Sequence, residues 1–373
     1  MSSPLIYKIA LSLFNRIGSV NARRLVAYMG SLDAVFESSK KQFKDIPGIG
    51  TALINIVVNS RDEVLKKAGE EVKFIEKHKL KTFFYLDKNY PRRLAQCVDS
   101  PAIMYMKGEV NLDHSRIISV VGTRKASEYG RERTQELISG LAAQGVHALV
   151  VSGLAFGIDV NAHKAAMKCN LPTLGVVGHG LDKMYPAEHA KIAREIIQEN
   201  GGLLSDFPSN HKIDPGNFLR RNRIIAGLAD CTIVVESAAK GGALVTADIA
   251  NSYNRDVFAY PGRTTDEYSA GCNAMIKNNK AALIESSSDL IAYMGWEARN
   301  EPVQQALLID LNDEEEQIIS ALKQNEVSTT DFISREVHLP VQKINSLLLT
   351  LEFKGAVKSL PGNRFKLIGN IGR

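Results

Sequence analysis

Hydrophobic residues from position 116 onward come in short runs whose length suits β-strands. Amphipathic stretches with the 3.6-residue period of helices separate most of these runs. The runs cover residues 117–121, 147–152, 173–177, 202–205, 231–236, 256–260 and 281–284, and the stretches cover 132–143, 159–168, 188–198 and 243–253. This alternation predicts an α/β fold, a doubly wound, extended Rossmann-like parallel sheet with helices on both faces. Such sheets bind ligands at the carboxyl ends of their strands.

The first 95 residues have a different pattern, with helical periodicity and two glycine turns. The segments 17–25 and 46–54 each place glycine before an apolar helix. The second segment resembles a helix-hairpin-helix turn, whose backbone amides bind DNA phosphates. A helical domain of the SAM or helix-hairpin-helix-like type is expected here. A plain turn inside a small helical bundle has the same pattern, so phosphate binding by this region remains open.

Beyond residue 296 the chain first becomes acidic and polar, which predicts a linker over 297–312. Three amphipathic stretches and a hairpin follow, and this order is typical of a winged helix over 313–373. The helices are expected at 314–323, 329–336 and 341–353, and the hairpin at 356–358 and 364–367 around Pro361-Gly362-Asn363. The predicted domains are therefore 1–95, 96–296 and 313–373. Winged helices bind DNA or proteins, so the fold leaves the role of this domain open.

The composition is that of an ordinary globular protein, with 45% hydrophobic and 23% charged residues. The four cysteines lie far apart, which argues against a zinc site or a disulfide framework and fits a reducing cytoplasm. No apolar run approaches the roughly 18 residues that span a bilayer, and the N-terminus does not resemble a signal peptide. We expect a cytoplasmic protein with no membrane contact and no bound metal.

The net charge of +5 is distributed unevenly along the chain. Residues 1–95 hold 17 Lys and Arg against 9 Asp and Glu, and residues 317–373 hold 8 against 4. Residues 96–296 are nearly neutral, with 20 basic against 21 acidic side chains. Basic ends suggest a polyanionic partner, although solvated surface lysines produce the same count.

The turn after the first predicted strand of the α/β region suits anion binding. It carries Gly122, Thr123, Arg124 and Ser127, and it lacks the later glycines of a dinucleotide fingerprint. Glycine allows an anion to approach the backbone closely, and the dipole of the following helix favours negative charge. Arginine presents a planar fork that suits phosphate. A tight turn with one surface arginine is the alternative interpretation.

A second basic group opens a helix that continues into apolar residues, and it consists of Arg220, Arg221, Asn222 and Arg223. Solvated basic faces more often use lysine, so phosphate contact by one or two of these arginines is favoured over a purely exposed role. Buried ion pairs that hold the loop are the alternative for the others.

The turn after the next predicted strand repeats the combination of glycine, cation and helix start, in Lys240, Gly241 and Gly242. Just before this turn, Glu236 is either a general base or a partner of one of the arginines. The nearby arginines favour the second role.

Signatures of catalysis are weak by comparison. Asp159 and His163 lie one helical turn apart, and we favour an N-cap and a packing side chain over an acid–base pair. The sequence contains no Walker A loop, no Gly-x-Ser-x-Gly elbow and no metal-ligand spacing. Anion-binding turns without an evident nucleophile predict a binding protein with no catalytic residues and no cofactor, not an enzyme.

Together these residues resemble the DNA-processing protein A family (DprA, also called Smf). The resemblance covers about residues 105–295, and its motifs occur in the family's order. They are Val121-Gly122-Thr123-Arg124, Ser152 to Asp159 with His163, Phe218 to Arg223, Gly241 to Ala247, and Ser269-Ala270-Gly271-Cys272-Asn273. The helical region and the winged helix also match the family's three-part layout.

The resemblance implies a protein that binds single-stranded DNA, protects it and loads the RecA recombinase during natural transformation. The DNA pocket that it implies includes Arg124, Arg220, Arg221 and Arg223, with Lys240 as a weaker candidate. It also implies a homodimer at the far end of the core domain, near the RecA contact, formed around Asn273, Ile276 and Leu283.

A nucleotide phosphoribohydrolase-like enzyme on a related Rossmann-like fold is the alternative function. The segment 241–246, Gly-Gly-Ala-Leu-Val-Thr, resembles a phosphate turn of such enzymes, in which Glu236 would assist glycosidic cleavage. Their fuller motif carries a glutamate shortly after the glycines, whereas the nearest acid here is Asp248. The DNA-binding interpretation is therefore preferred.

Overall fold

The structure is a computed structural model that describes residues 4–43, 46–296, 311–323, 328–360 and 363–367. The chain divides into two compact units, residues 1–296 and residues 297–373. Most of the predicted acidic linker, residues 297–310, lies outside the described residues. Pro361 and Gly362 of the predicted wing turn also lie outside them.

Helices begin the first unit, as the periodicity of residues 1–95 predicts. They are α1 Pro4–Leu13, α2 Ser19–Met29, α3 Leu32–Glu37, α4 Thr51–Asn59 and α5 Arg61–His78, with a 3-10 turn at Lys40–Phe43. The two predicted glycine turns lead into α2 and α4, where Gly18 and Gly50 are the N-cap residues.

Within the described part of the chain, a nine-stranded sheet forms the centre of the first unit. Its strands are β1 Lys81–Phe84, β2 Ile103–Gly108, β3 Ile117–Val121, β4 Leu149–Ser152, β5 Thr173–Val176, β6 Gly202–Ser205, β7 Cys231–Val234, β8 Asp256–Ala259 and β9 Ala282–Leu283. The order across the sheet is β1-β2-β6-β5-β4-β3-β7-β8-β9. The part from β6 to β9 is parallel, as predicted. The direction of winding changes between β3 and β7, which is where doubly wound sheets bind ligands.

The strands β1 and β2 differ from the sequence prediction. They pair antiparallel with each other, and β2 pairs antiparallel with β6. Residues 81–84 lie in the region that was predicted to contain only short helices. A four-residue edge strand is too short for its period to be distinguished from that of a helix.

Helices cover both faces of the sheet. They are α6 Arg92–Ala95, α7 Glu128–Ala143, α8 Ile158–Lys168, α9 Ala190–Gln198, α10 Pro215–Leu228, α11 Gly242–Ser252, α12 Ala270–Lys277 and α13 Ser287–Met294. Strand β3 shows the two layers: Ile117 and Val121 share a hydrophobic cluster with residues of α10 and α11. Ile118 and Val120 point to the other face and share a cluster with residues of α7 and α8.

The N-terminal helices pack directly on the antiparallel edge of the sheet. Phe14 and Ile17 belong to one hydrophobic cluster with Phe84 of β1 and Tyr105 of β2. Burial of this shared cluster fixes the helical region to the core domain, because both sides would expose apolar surface if they separated.

The second unit, taken by itself, is a winged helix, as the order of its predicted elements indicates. Its elements are α14 Asp313–Lys323, β10 Ser328–Thr329, α15 Thr330–Val337, α16 Val341–Phe353, β11 Val357–Leu360 and β12 Arg364–Leu367. The strands form an antiparallel sheet in the order β10-β12-β11. On its third helix, α16, the exposed Lys343 forms an ion pair with Glu314.

Candidate nucleic-acid interface

A cavity of about 290 Å³ lies at the carboxyl ends of β3, β4 and β7, beside the change in winding. The loops after these strands form its walls, and the first half of α10 closes it. We call this cavity the core pocket. The predicted residues that line it are Gly122, Thr123, Arg124, Arg221, Asn222, Gly241 and Gly242. The structure therefore brings the turn at 122–124 together with two segments, 221–222 and 241–242, that lie about a hundred residues further along the chain.

The first turn of the core pocket requires glycine at position 122. A Cβ atom there would lie 2.4 Å from Cγ1 of Ile158 and 3.0 Å from the carbonyl oxygen of Glu236. The amide of Thr123 donates to the same carbonyl at 2.8 Å, which ties the turn to the end of β7. The next residue, Arg124, is exposed, and its guanidinium carbon lies 5.9 Å from the centre of the Phe218 ring. The turn thus presents a cation at the mouth of the pocket.

Arg221 places a second positive charge at the floor of the core pocket. Its side chain is buried and donates to the carbonyl oxygen of Val176, and within the described residues its Nε has no hydrogen-bond partner. Burial lowers the pKa of Arg221 to about 10, while the nearby charge of Asp159 opposes that shift. The guanidinium therefore stays protonated at neutral pH. Gly153 makes room for it, because a Cβ atom there would lie 2.1 Å from an Arg221 nitrogen.

The remaining basic residues of α10 point elsewhere. Arg223 forms a 2.5 Å ion pair with Asp206, and the two side chains are only 12% and 4% exposed. It also donates to the backbone carbonyl of Asp99. Arg220 is exposed, and its guanidinium carbon lies 5.4 Å from the centre of the Phe207 ring, outside the core pocket. Helix α10 therefore carries one arginine in the core pocket, one exposed outside it and one in a buried ion pair.

Ser127 and Glu236 form a pair that holds the start of α7. The Glu236 carboxylate accepts hydrogen bonds from the Ser127 amide, at 2.9 Å, and from the Ser127 hydroxyl. The Ser127 hydroxyl in turn accepts from the Gly130 amide, so it caps the helix. The expectation that Glu236 pairs with an arginine is corrected by these contacts. Ser127 does not line the core pocket.

Asp159 and His163 do not form an acid–base pair. Asp159 accepts a 3.1 Å hydrogen bond from the Gly153 amide, and His163 shares a 2.7 Å hydrogen bond with the Thr173 hydroxyl. Burial lowers the pKa of His163 to about 3, so its imidazole is neutral at physiological pH. His163 is a packing side chain, which is the role that we favoured from the sequence. Asp159 lies in the first turn of α8, whose N-cap is Gly157, so the predicted N-cap role is corrected.

Two features of the pocket were not singled out from the sequence. Ser237 and Thr246 line it, on either side of the Gly241–Gly242 turn. Ser237 follows strand β7 and Thr246 lies on α11 one turn after Gly242, and these positions were the available signal. Lys240 precedes that turn and is exposed, but it does not line the cavity.

Of the residues implied for a dimer, Asn273 and Ile276 lie on α12 and Leu283 lies on edge strand β9, and none of the three lines the core pocket. The Asn273 side chain exchanges hydrogen bonds with the backbone of Gly262, at 3.1 and 2.9 Å. Ile276 is half-buried and packs against the core, whereas Leu283, on edge strand β9, is 41% exposed. Leu283 is thus the member of this group with apolar surface available to a partner.

The described residues contain no group of three or more His, Cys, Asp or Glu side chains arranged to hold a metal ion. None of the helices formed by these residues is both long and apolar enough to cross a membrane.

Comparison with known proteins gives consistent matches. Residues 81–295 match the family described as DNA recombination-mediator protein A, and residues 302–363 match the DprA winged helix domain. Protein Smf of Synechocystis sp. is 29% identical over 96% of this chain and 98% of its own. Protein Smf of Escherichia coli is 33% identical over 74% of this chain and 75% of its own.

Solved structures agree with these relatives. The X-ray structure of DprA from Streptococcus pneumoniae has a TM-score of 0.65 at 30% identity, covering 78% of this chain and 98% of that chain. A Helicobacter pylori DprA structure, described by its single-stranded DNA binding mode, has a TM-score of 0.52 at 28% identity, covering 58% and 96%. The family match spans more than half of the chain and includes all the loops of the core pocket. This protein therefore belongs to the DNA recombination-mediator protein A family, also called DprA or Smf.

Proposed function

We propose that this protein binds single-stranded DNA in the core pocket, protects it, and loads the RecA recombinase during natural transformation. The observation that carries the proposal is the pair of cations, Arg124 and Arg221, in a pocket built from glycine turns at the change in sheet winding. The likeness to H. pylori DprA, a protein described as binding single-stranded DNA, supports the same ligand. The cytoplasm is the compartment in which such DNA and RecA would meet.

The pocket suits a sugar–phosphate backbone. Arg124 is exposed and can form a forked pair of hydrogen bonds with a phosphate. The first turn of α11 begins at Gly242 and lines the same cavity, so its amides and dipole favour an anion there. Contacts to phosphates carry no sequence information, so binding should be independent of base sequence. Phe156 and Tyr185, both nearly half exposed, offer ring surfaces for stacking.

We propose different roles for the predicted residues outside the cavity. Arg220 and Lys240 are exposed beside it and would attract the strand through their charge. Ser127 and Arg223 would act as positioning residues, since both are held in hydrogen bonds or ion pairs that fix α7 and α10.

We propose binding without catalysis, and Glu236 supports this choice over the phosphoribohydrolase alternative. A hydrolase of that kind needs an acid or base directed at the glycosidic bond. The Glu236 side chain is 3% exposed, and both of its oxygens accept hydrogen bonds from Ser127. The carboxylate is therefore occupied with capping α7.

The test is fluorescence anisotropy of labelled single-stranded and double-stranded oligonucleotides as a function of salt, with a nucleoside monophosphate as competitor. We expect tighter binding of the single strand, a steep salt dependence, and no displacement by millimolar monophosphate. Failure to bind the strand, or its displacement by the monophosphate, would contradict the proposal and favour a nucleotide-binding enzyme. RecA filament formation on the bound strand then tests loading.

We further propose a homodimer formed around Asn273, Ile276 and Leu283, with the RecA contact nearby. The exposed Leu283 on edge strand β9 supports this surface. A two-fold contact there would place two core pockets in one particle and raise the avidity for a long strand.

Leu283→Asp should halve the mass measured by light scattering, because it places a charge in the contact. Leu86→Asp, at a 62% exposed leucine elsewhere in the first unit, is the control and should leave the mass unchanged. A wild-type protein that is monomeric at micromolar concentration would contradict the dimer.

A further inference from the structure

A second cavity, of about 700 Å³, lies between the N-terminal helices and the core domain. We call it the interdomain cleft. The loop between α1 and α2 and one side of α5 form its N-terminal wall, through Arg16 and Lys67. The loop after β6 and the start of α10 form the opposite wall, through Phe207, His211 and Arg220.

The cleft and the core pocket both border a third, smaller cavity of about 370 Å³. It is lined by Leu219 and Arg220 of α10 and by the turn that begins α2. Leu219 also lines the core pocket, and Arg220 also lines the cleft. Neighbouring side chains of one helix therefore border all three spaces. We call the three spaces together the groove, which extends from the strand ends, across α10, to the N-terminal helices.

Charge along the groove suits an anionic chain. The acidic side chains of the cleft are already paired, Glu63 with Lys67 at 2.5 Å and Asp206 with Arg223 at 2.5 Å. Arg16 and Arg220 are exposed and add positive charge on the two walls. The smaller cavity is also lined by Asp99, whose carboxylate accepts a hydrogen bond from the Tyr253 hydroxyl.

Aromatic rings lie on the core side of the cleft. Phe207 lies under the Arg220 guanidinium, and its ring centre is 4.8 Å from that of His211. Burial lowers the pKa of His211, so this imidazole is neutral at physiological pH. The Phe207 ring is buried and tilted against that of His211, so it supports the wall. The half-buried His211 imidazole and the exposed Arg220 guanidinium are the parts of this wall that a nucleotide can reach.

The two walls are held in place by direct contacts. Glu71 of α5 accepts hydrogen bonds from the Ser209 amide, at 3.0 Å, and from the Ser209 hydroxyl, at 2.5 Å. Arg23 of α2 donates to the Ser100 hydroxyl at 2.5 Å. These contacts, with the shared hydrophobic cluster, mean that the cleft exists before any ligand binds.

We infer that the DNA strand continues from the core pocket over Leu219 and Arg220 into the interdomain cleft, so that the N-terminal helices bind its phosphates through Arg16. This inference rests on the proposed function. It gives the N-terminal helical region a role, phosphate binding, which the sequence of that region left open. It also selects the first glycine turn, before α2, as the one that faces DNA, because the second turn lines neither cavity.

The test compares two lengths of oligothymidylate by anisotropy in the full-length protein. A strand of about 6 nucleotides fits one site, and a strand of about 20 exceeds it. Arg16→Glu is the cleft variant. Lys40→Glu is the matched control, because it makes the same charge change at an exposed residue of the same helical region that lines neither cavity.

We expect Arg16→Glu to weaken binding of the long strand about tenfold and to lower the slope of log affinity against log salt by about 0.7, as for one phosphate contact. Binding of the short strand should change less than twofold, and Lys40→Glu should resemble wild type with both lengths. Equal melting temperatures would exclude unfolding as the cause.

Three results would overturn the inference. Long-strand affinity equal to that of Lys40→Glu would show that the strand does not reach the cleft, while short-strand binding would leave the core pocket assignment intact. Equal weakening of both lengths would show a general charge effect. A wild-type protein that binds neither length would remove the proposed function itself.

Discussion

At the scale of single residues, the core pocket depends on charges that the surrounding protein compensates. Arg221 is buried, yet it remains a cation because Asp159 lies close and the Val176 carbonyl accepts one of its hydrogens. A phosphate in the pocket would add a second counter-charge. Glu236 and Ser127 show the same principle, since a buried carboxylate is stable only when its oxygens are hydrogen-bonded.

His163 provides a pH prediction at this scale. Its pKa is about 3 in the folded protein and about 6.5 when unfolded. Between these values the unfolded chain binds the extra proton, so the contribution of His163 to stability falls as the pH falls below about 6.5. His163→Gln removes this dependence. The stability difference between wild type and His163→Gln should decrease by about 2 kcal/mol from pH 7 to pH 5.

The measurement is urea unfolding of both proteins at the two pH values. Using the difference between them cancels the opposite contribution of Asp159, whose pKa burial raises. A difference that stays constant with pH would mean that the imidazole is solvated and not packed as described.

At the scale of elements, α10 explains what the sequence could and could not predict. The sequence identified its arginines and its apolar continuation, because residue type and period are local properties. The sequence could not assign a role to each arginine, because the residues that fix those roles are distant in the chain. They are Asp206 for Arg223 and Asp159 for Arg221. Likewise α7 begins at Glu128, four residues before its predicted start, because Ser127 is fixed by Glu236, 109 positions later.

Two substitutions on α10 should have different effects, one on the free energy of unfolding and the other on DNA binding. Arg223→Ala leaves Asp206 buried without its partner, so it should lower the free energy of unfolding by about 3 kcal/mol. Arg220→Ala, at an exposed position of the same helix, should lower it by less than about 0.5 kcal/mol. Arg220→Ala should instead weaken DNA binding. Urea unfolding and anisotropy of the two variants check both statements, and equal stability losses would contradict the assignment of Arg223.

At the scale of the whole molecule, the chain combines an α/β unit that carries the core pocket with a winged helix. The core pocket, the interdomain cleft and the implied dimer edge all lie within residues 1–296. The sequence predicted the parallel sheet and the winged helix because both rest on repeated local patterns. It missed β1 and β2, whose antiparallel pairing joins the helical region to the sheet.

A fragment ending at residue 296 should therefore fold and bind a short single strand with nearly the affinity of the full chain. The reason is that this unit contains every residue that lines the core pocket. Circular dichroism melting and anisotropy of the fragment check this. A folded fragment that loses more than about tenfold in affinity would show that the winged helix takes part in short-strand binding.

The most direct test of the DNA-binding account compares two neighbouring cations. Arg124 lines the core pocket, whereas Lys125, also exposed, does not. Each alanine substitution removes one positive charge from the same turn. Anisotropy against salt with single strands of different sequence should show that Arg124→Ala weakens binding about tenfold for all of them and lowers the salt slope by about 0.7, while Lys125→Ala leaves both unchanged. Equal effects of the two substitutions, or none from Arg124→Ala, would contradict the account.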